Sequence, residues 1–252
     1  MHEQCAFCPN TANLTGEHIW SRWIGDLIDI NKFLITQKLP DGRVFKYPKK
    51  KLNIKAKVVC GDCNSGWMSD LENNTKPFLQ DMILFRKETV LMPSQIALLS
   101  AVSFKNAVVA DHMQDNSPRF FPFITRQRFG RTLRVPNGVQ MWTAALGINR
   151  GIFRSGDLKT KPGFSGGFEI NIFNYAVGYF AVQVNSSRWK RKTHRRNTAP
   201  PRLTQNIHWN AASVPFWPPE NSPFRWPPLK LLGDDTIDEF CDRWQRLEIG
   251  PG

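Results

Sequence analysis

The chain has 252 residues, 41% of them hydrophobic and 12% aromatic. That is enough apolar material for a sizeable core, and it excludes a disordered chain. A formal net charge of +13 predicts attraction to a polyanion, most commonly nucleic acid. The longest apolar stretch, 90–110, is interrupted by Pro93, Gln95 and Lys105, so no membrane span or membrane partner is expected. No apolar segment follows Met1, which predicts no secretory signal and a cytoplasmic protein.

In chain order, the first signal is Cys5-Ala6-Phe7-Cys8, which returns as Cys60-Gly61-Asp62-Cys63. Two Cys-x-x-Cys pairs are two metal knuckles, and together they make a closed tetrahedral thiolate cage for a structural zinc ion. Between them lies Glu17-His18, and Asn64 directly follows the last cysteine. A zinc held by four cysteines does no chemistry itself, so the reactive groups must be carried on it. The fifth cysteine, Cys241, sits in an apolar-periodic segment and reads as a small buried hydrophobe.

From Trp20 the apolar residues recur at helical spacing as far as Ile28. Then come β-rich runs, Phe33 to Leu39 and Val44 to Tyr47, around Pro40-Asp41-Gly42, a hairpin signal. Residues 52–58 alternate apolar with polar and predict a half-buried strand running into the second knuckle. Nine Lys or Arg stand against one acid between Lys32 and Lys57. That imbalance favours a phosphate track, with Lys49, Lys50, Lys51, Lys55 and Lys57 as its candidate cations.

The pattern of an acid-His pair between two knuckles, with Asn after the final Cys, resembles the HNH (His-metal finger) endonucleases. It is most similar to the zinc-stapled branch typified by the endonuclease VII family. The resemblance covers the first third of the chain and departs from the family in having Glu17 where Asp is usual. It implies a ββα-metal nuclease domain over residues 1–76. It also implies His18 as general base, and Glu17 and Asn64 as ligands of a catalytic Mg²⁺ or Mn²⁺ beside the structural zinc. A neutral imidazole near its ordinary pKa of about 6.5 suits a base at cellular pH, and Glu17 and Asn64 are hard oxygen donors. Asp70 and Glu72 are weighed as extra ligands, with surface or capping roles preferred.

Residues 77–252 are expected to form a second, basic domain, and the chain as a whole is α+β. Phe78 to Phe85 and Ser94 to His112 read as helices, the latter capped by Ser94. Runs at 120–125, 140–148, 168–173 and 177–184 read as short strands of a mainly antiparallel sheet, punctuated by Gly and Pro. Sixteen Lys or Arg stand against two acids from Arg119 to Arg202. The densest part is Arg188, Trp189, Lys190, Arg191, Lys192, Arg195 and Arg196, where Trp189 can stack on a base while the cations hold phosphates.

Two Trp-Pro-Pro pentads near 217 and 226 read as extended segments pinned by their Trp rings, and 234–247 as a last helix. The function this reading predicts is metal-dependent cleavage of nucleic acid, DNA before RNA, with the second domain holding substrate or docking a protein partner or activator. A symmetric double-strand cutter requires a homodimer. By analogy alone, a lone nuclease of this kind suits a defence or toxin effector. The alternative is a non-catalytic zinc-stapled module that binds nucleic acid or protein.

Overall fold

The computed structural model describes residues 4–11, 13–28, 33–38, 44–49, 54–113, 119–159, 168–189, 212–219, 223–233, 236–237 and 240. Strand β1 (Leu14–His18) is followed by helix α1 (Arg22–Leu27) and by an antiparallel pair, β2 (Phe33–Lys38) with β3 (Val44–Lys49). That pair is the expected hairpin. Strand β4 (Lys55–Cys60) returns antiparallel to β1, with a register shift between Thr15 and Gly16.

The chain turns from β4 directly into helix. A short α2 (Gly61–Cys63) and a π-helical turn, Asn64–Met68, lead into α3 (Ser69–Phe85), with a kink at Gly66 (φ −92°, ψ −117°). The helix expected at 78–85 is therefore the second half of a longer element. Leu71, Phe78, Leu79, Met82 and Ile83 lie on its buried side while Pro77 is exposed. The expected boundary between residues 76 and 77 falls inside this helix.

After β5 (Thr89–Leu91) comes α4 (Pro93–Asp111), the helix around which the rest packs. Every residue from Leu99 to Asp111 is buried, with Lys105, Asn106 and Asp111 among them. Its start differs from the Ser94 cap expected. Pro93 takes the first helical position, where its missing N–H costs nothing, and the Gln95 side chain accepts the Met92 N–H at 2.9 Å. The run at 120–125 is not a strand either. Phe120 and Phe121 donate their N–H groups to the buried Asp111 carboxylate (3.0 and 3.2 Å), and α5 (Phe123–Thr132) begins after Pro122. An aromatic run that resembles a strand is thus satisfied by a side-chain acceptor, which no local pattern announces.

The expected antiparallel sheet is present, but its strands are long. β6 (Val139–Lys159) pairs with β7 (Phe168–Trp189) along nearly its whole length, and β8 (Ser213–Trp217) joins on the other side of β6. Gly151, expected as punctuation between strands, lies within β6. β9 (Phe224–Trp226) pairs with β5. The Trp-Pro pentads are extended as expected; both Trp-Pro bonds are cis, and Trp226 is fully buried, its ring 6.1 Å from that of Phe180. The expected last helix falls mainly on residues outside those described.

Helices and sheet form an α+β fold with one main apolar core running from the cysteine knuckles to β7. No helix among the described residues is long and apolar enough to cross a membrane.

The sheet meets α3 backbone to backbone at Gly178. Its φ is +60°, and a Cβ there would lie 2.2 Å from the carbonyl oxygen of Ile83. Backbone cannot yield as a side-chain tip can, so Gly178→Ala is expected to destabilise the fold by about 3 kcal/mol. A denaturant midpoint equal to wild type would show that the helix–sheet contact is looser than this geometry requires.

Candidate metal centre and the His18 strand

The first knuckle enters the core through Phe7. Its ring packs edge-on to Trp67 at 5.2 Å and lies 6.1 Å from Phe129 of α5, which in turn meets Phe104 of α4 at 4.8 Å. The Cys5 N–H donates to the Asn10 carbonyl, and the Ala6 N–H to Val58 on β4. These bonds lay the first knuckle against the strand that delivers the second.

As a result the sulfurs of Cys5, Cys8, Cys60 and Cys63 all lie within 4.8 Å of one another, and the Cys8 and Cys60 Sγ atoms are 3.5 Å apart. Zn–S bonds of about 2.3 Å place tetrahedral sulfurs about 3.8 Å apart, so the cage fits zinc. The Cys60 N–H donates to Cys5 Sγ at 3.3 Å. Burial opposes the Cys5 thiolate, but N–H groups of Phe7, Cys60 and Cys8 outweigh it and hold that thiol below its ordinary range. Burial pushes Cys8 up to about 11 and raises Cys63 as well. Such a set deprotonates together when a divalent ion enters.

The register of β1 on β4 decides which residues share a face. His18 stands opposite Lys55, and Glu17 opposite Ala56. Side chains directly opposite in an antiparallel pair lie on one face, so His18 and Lys55 share the outer face, where Lys55 and Lys57 are exposed. Glu17 and Ala56 share the buried one. Partial burial, and then the Lys55 cation, lower the His18 pKa below its ordinary value. The imidazole is therefore neutral at neutral pH.

Glu17 points the other way. Its Oε1 accepts from the Lys105 ammonium at 2.5 Å, and the same ammonium donates to Glu72 Oε1 at 2.7 Å. Lys105 is 0% exposed, on α4. Burial alone would depress it, but the two carboxylates outweigh that and keep it charged.

Asn64, half-buried at the start of the π turn, donates from Nδ2 to Thr15 Oγ1 at 2.9 Å. The Thr15 hydroxyl gives its proton to the Val59 carbonyl at 3.1 Å, so its oxygen must accept. That fixes the Asn64 amide with its nitrogen toward β1, and among the described residues its oxygen accepts no hydrogen bond.

The structure thus brings together the four cysteines, His18 with Lys55, and Asn64 with β1, while Glu17 is turned toward α4. Among the described residues the cysteines are the one group of three or more His, Cys, Asp or Glu able to share a metal ion. Of the basic candidates, Arg188 is built into the fold. Its guanidinium donates to the Phe120 carbonyl and lies 4.5 Å from the centre of the Phe120 ring. Lys50, Lys51, Lys190, Arg191, Lys192, Arg195 and Arg196 lie outside the described residues, as do the side chains of Lys49 and Trp189.

Three residues around the site carried no functional role in the sequence reading: Lys105, Arg126 and His112. Lys105 had a signal, being the one charge inside an apolar run, since a lysine so placed is buried and must find a partner. Arg126 of α5 donates to the Ala6 carbonyl inside the first knuckle, and to His112 Nε2 at 3.0 Å. His112 Nδ1 lies 2.8 Å from the Val108 carbonyl, which accepts its proton, so the ring is neutral.

Burial pushes His112 down to about 4, below its unfolded value of about 6.5. Its contribution to stability is therefore full above about pH 6.5 and is lost as pH falls through 4. The stability advantage of wild type over His112→Gln is expected to shrink across that window in thermal melts. A constant difference from pH 7 to 4 would contradict the neutral ring.

Comparison of the chain with protein-family models, with curated proteins and with solved structures finds no match.

Proposed function

We propose that the chain is a zinc-stapled nucleic-acid-acting protein, and that its finer role is metal-dependent endonuclease. One observation carries this reading. An antiparallel strand pair tied to the cysteine cage holds a neutral His18 beside Lys55 and leads straight into a helix that starts with Asn64. Strand, strand and helix in that order support the ββα-metal arrangement, and the net charge of +13 supports a polyanionic substrate.

In this reading His18 takes the proton of the attacking water. Lys55 and Lys57 hold the phosphate next to it. The catalytic ion would be held by the Asn64 amide oxygen, and Glu17 would join it only by turning its carboxylate away from Lys105 and the buried face. A divalent ion bound there supplies charge neutralisation at the phosphate and leaving oxygen. DNA is the favoured substrate, with a protein activator and a homodimer as further proposals.

A second reading is favoured by a specific observation. Glu17 is buried and its Oε1 is taken by Lys105, and no second cluster of three metal-ligating residues forms among the described residues. On that ground the chain is a non-catalytic zinc module that binds nucleic acid or protein. The experiment that separates the two is cleavage of plasmid, linear duplex, single-stranded DNA and RNA by purified protein with Mg²⁺, Mn²⁺ or EDTA. Cleavage that EDTA abolishes establishes the enzyme. Tight, salt-sensitive binding without cleavage establishes the module.

A further inference from the structure

Neither reading gives Lys105 a role of its own. It belongs to α4, far along the chain from the cysteine knuckles, yet its ammonium sits between one carboxylate on β1 and another on α3. It is wholly buried, Glu17 is 3% exposed, and only Glu72 reaches partly toward solvent. One cation for two carboxylates is a costly thing to bury, and each bond must be made well for the group to remain ionised. A lysine used only to fill space between helices would be replaced at lower cost by leucine or methionine.

The position of Glu17 gives the cluster a purpose. Glu17 is the residue before His18, and His18 is the last residue of β1. Beyond His18 the chain leaves the strand, with the Ile19 N–H donating to Ile54 ahead of β4. Strand pairing grips β1 from the β4 side. The Glu17 carboxylate grips its far end from below, through Lys105, to α3 and α4 together. Side chains of neighbouring strand residues point to opposite faces, so fixing Glu17 on the inner face fixes the direction in which His18 leaves the outer one.

We infer that Lys105 is a positioning residue that locks the His18 end of β1 onto the α3–α4 frame through Glu17 and Glu72. It touches neither substrate nor reacting atoms. Its effect is on where His18 stands, and displacement of a general base by about 1 Å costs roughly a hundredfold in rate. The catalytic consequence rests on the endonuclease reading above, whereas the mechanical one does not.

The test measures both on the full-length protein. Hydrogen exchange of the backbone amides of residues 16–19 and the ring resonances of His18 are recorded for wild type, Lys105→Met and Lys105→Arg, with kcat and KM for cleavage in parallel. Lys105→Met is expected to speed exchange at those amides at least tenfold and to shift the His18 ring signals. Its kcat is expected to fall about tenfold or more while KM stays within threefold. Lys105→Arg, which keeps the charge, is expected to recover much of both.

If Lys105→Met does not fold, Glu72→Gln removes one carboxylate and leaves a balanced Lys105–Glu17 pair. It should then give the same changes in smaller measure. Unchanged exchange and unchanged His18 signals in the folded variant would overturn the inference. So would a kcat per folded, zinc-loaded molecule equal to wild type. Absence of cleavage by wild type would sink the endonuclease reading, while the exchange measurements would still decide Lys105.

Discussion

Cys60→Ser protein is expected to bind no zinc and to lose the fold of the residues between the two knuckles. Cys60 closes β4, is 1% exposed, and gives its N–H to Cys5 while its sulfur faces Cys8. A structural zinc site contributes about 10–16 kcal/mol of apparent binding energy at neutral pH, which matches or exceeds the whole stability of an ordinary domain. Serine offers a poor ligand in a cage that suits thiolates. The loss reaches past the metal, because Phe7 lies between Cys5 and Cys8 and anchors the knuckle in the aromatic cluster with Trp67 and Phe129. Metal analysis and limited proteolysis check the result. A soluble, protease-resistant Cys60→Ser protein without zinc would show that packing alone holds the knuckles together.

His18→Ala is expected to lower cleavage about 10²–10⁴-fold, the usual contribution of a general base, with nucleic-acid affinity changed less than about threefold. Two features separate His18 from a structural histidine. It lies on the outer face of the strand pair, opposite Lys55, and its environment keeps it uncharged. The base works when deprotonated, so the wild-type rate should rise as pH climbs through the lowered pKa and be level at neutral pH. Loss of binding along with cleavage, or a rate that still climbs steeply above pH 7, would remove His18 from the role. Lys55 and the other cations are expected to carry the affinity that the alanine variant keeps.

The metal cage was legible in the sequence because its information is local. Two residues between cysteines set the bite of each knuckle, and only the meeting of the two knuckles depends on the fold. The α+β class was legible for a similar reason, since period and turn residues mark elements one at a time. Strand length was not: Gly151 looks like a break, yet with Val177 of β7 opposite it continues the ladder.

Of the candidate site, the cysteines could be named from spacing, but the faces that His18 and Glu17 take depend on the register of β1 with β4, set by residues some forty positions apart. Glu17 shows the consequence. The sequence offers it as a metal ligand with Asn64, whereas its register opposite Ala56 and the helix below give its Oε1 to Lys105. Arg188 shows the reverse case, a charge read as free for phosphate that is engaged by Phe120.

The cysteine cage also closes a large ring of chain. Cys8 and Cys60 are 52 positions apart, and the β2–β3 pair lies wholly inside that ring. The entropy of closing a loop grows only logarithmically, by about 0.6 kcal/mol for each doubling of its length. Once the metal has joined the ends, residues between α1 and β4 can be added or removed at almost no thermodynamic penalty. The β2–β3 pair is therefore a natural graft point, where sequence can be exchanged while cage, His18 strand and helix stay as they are.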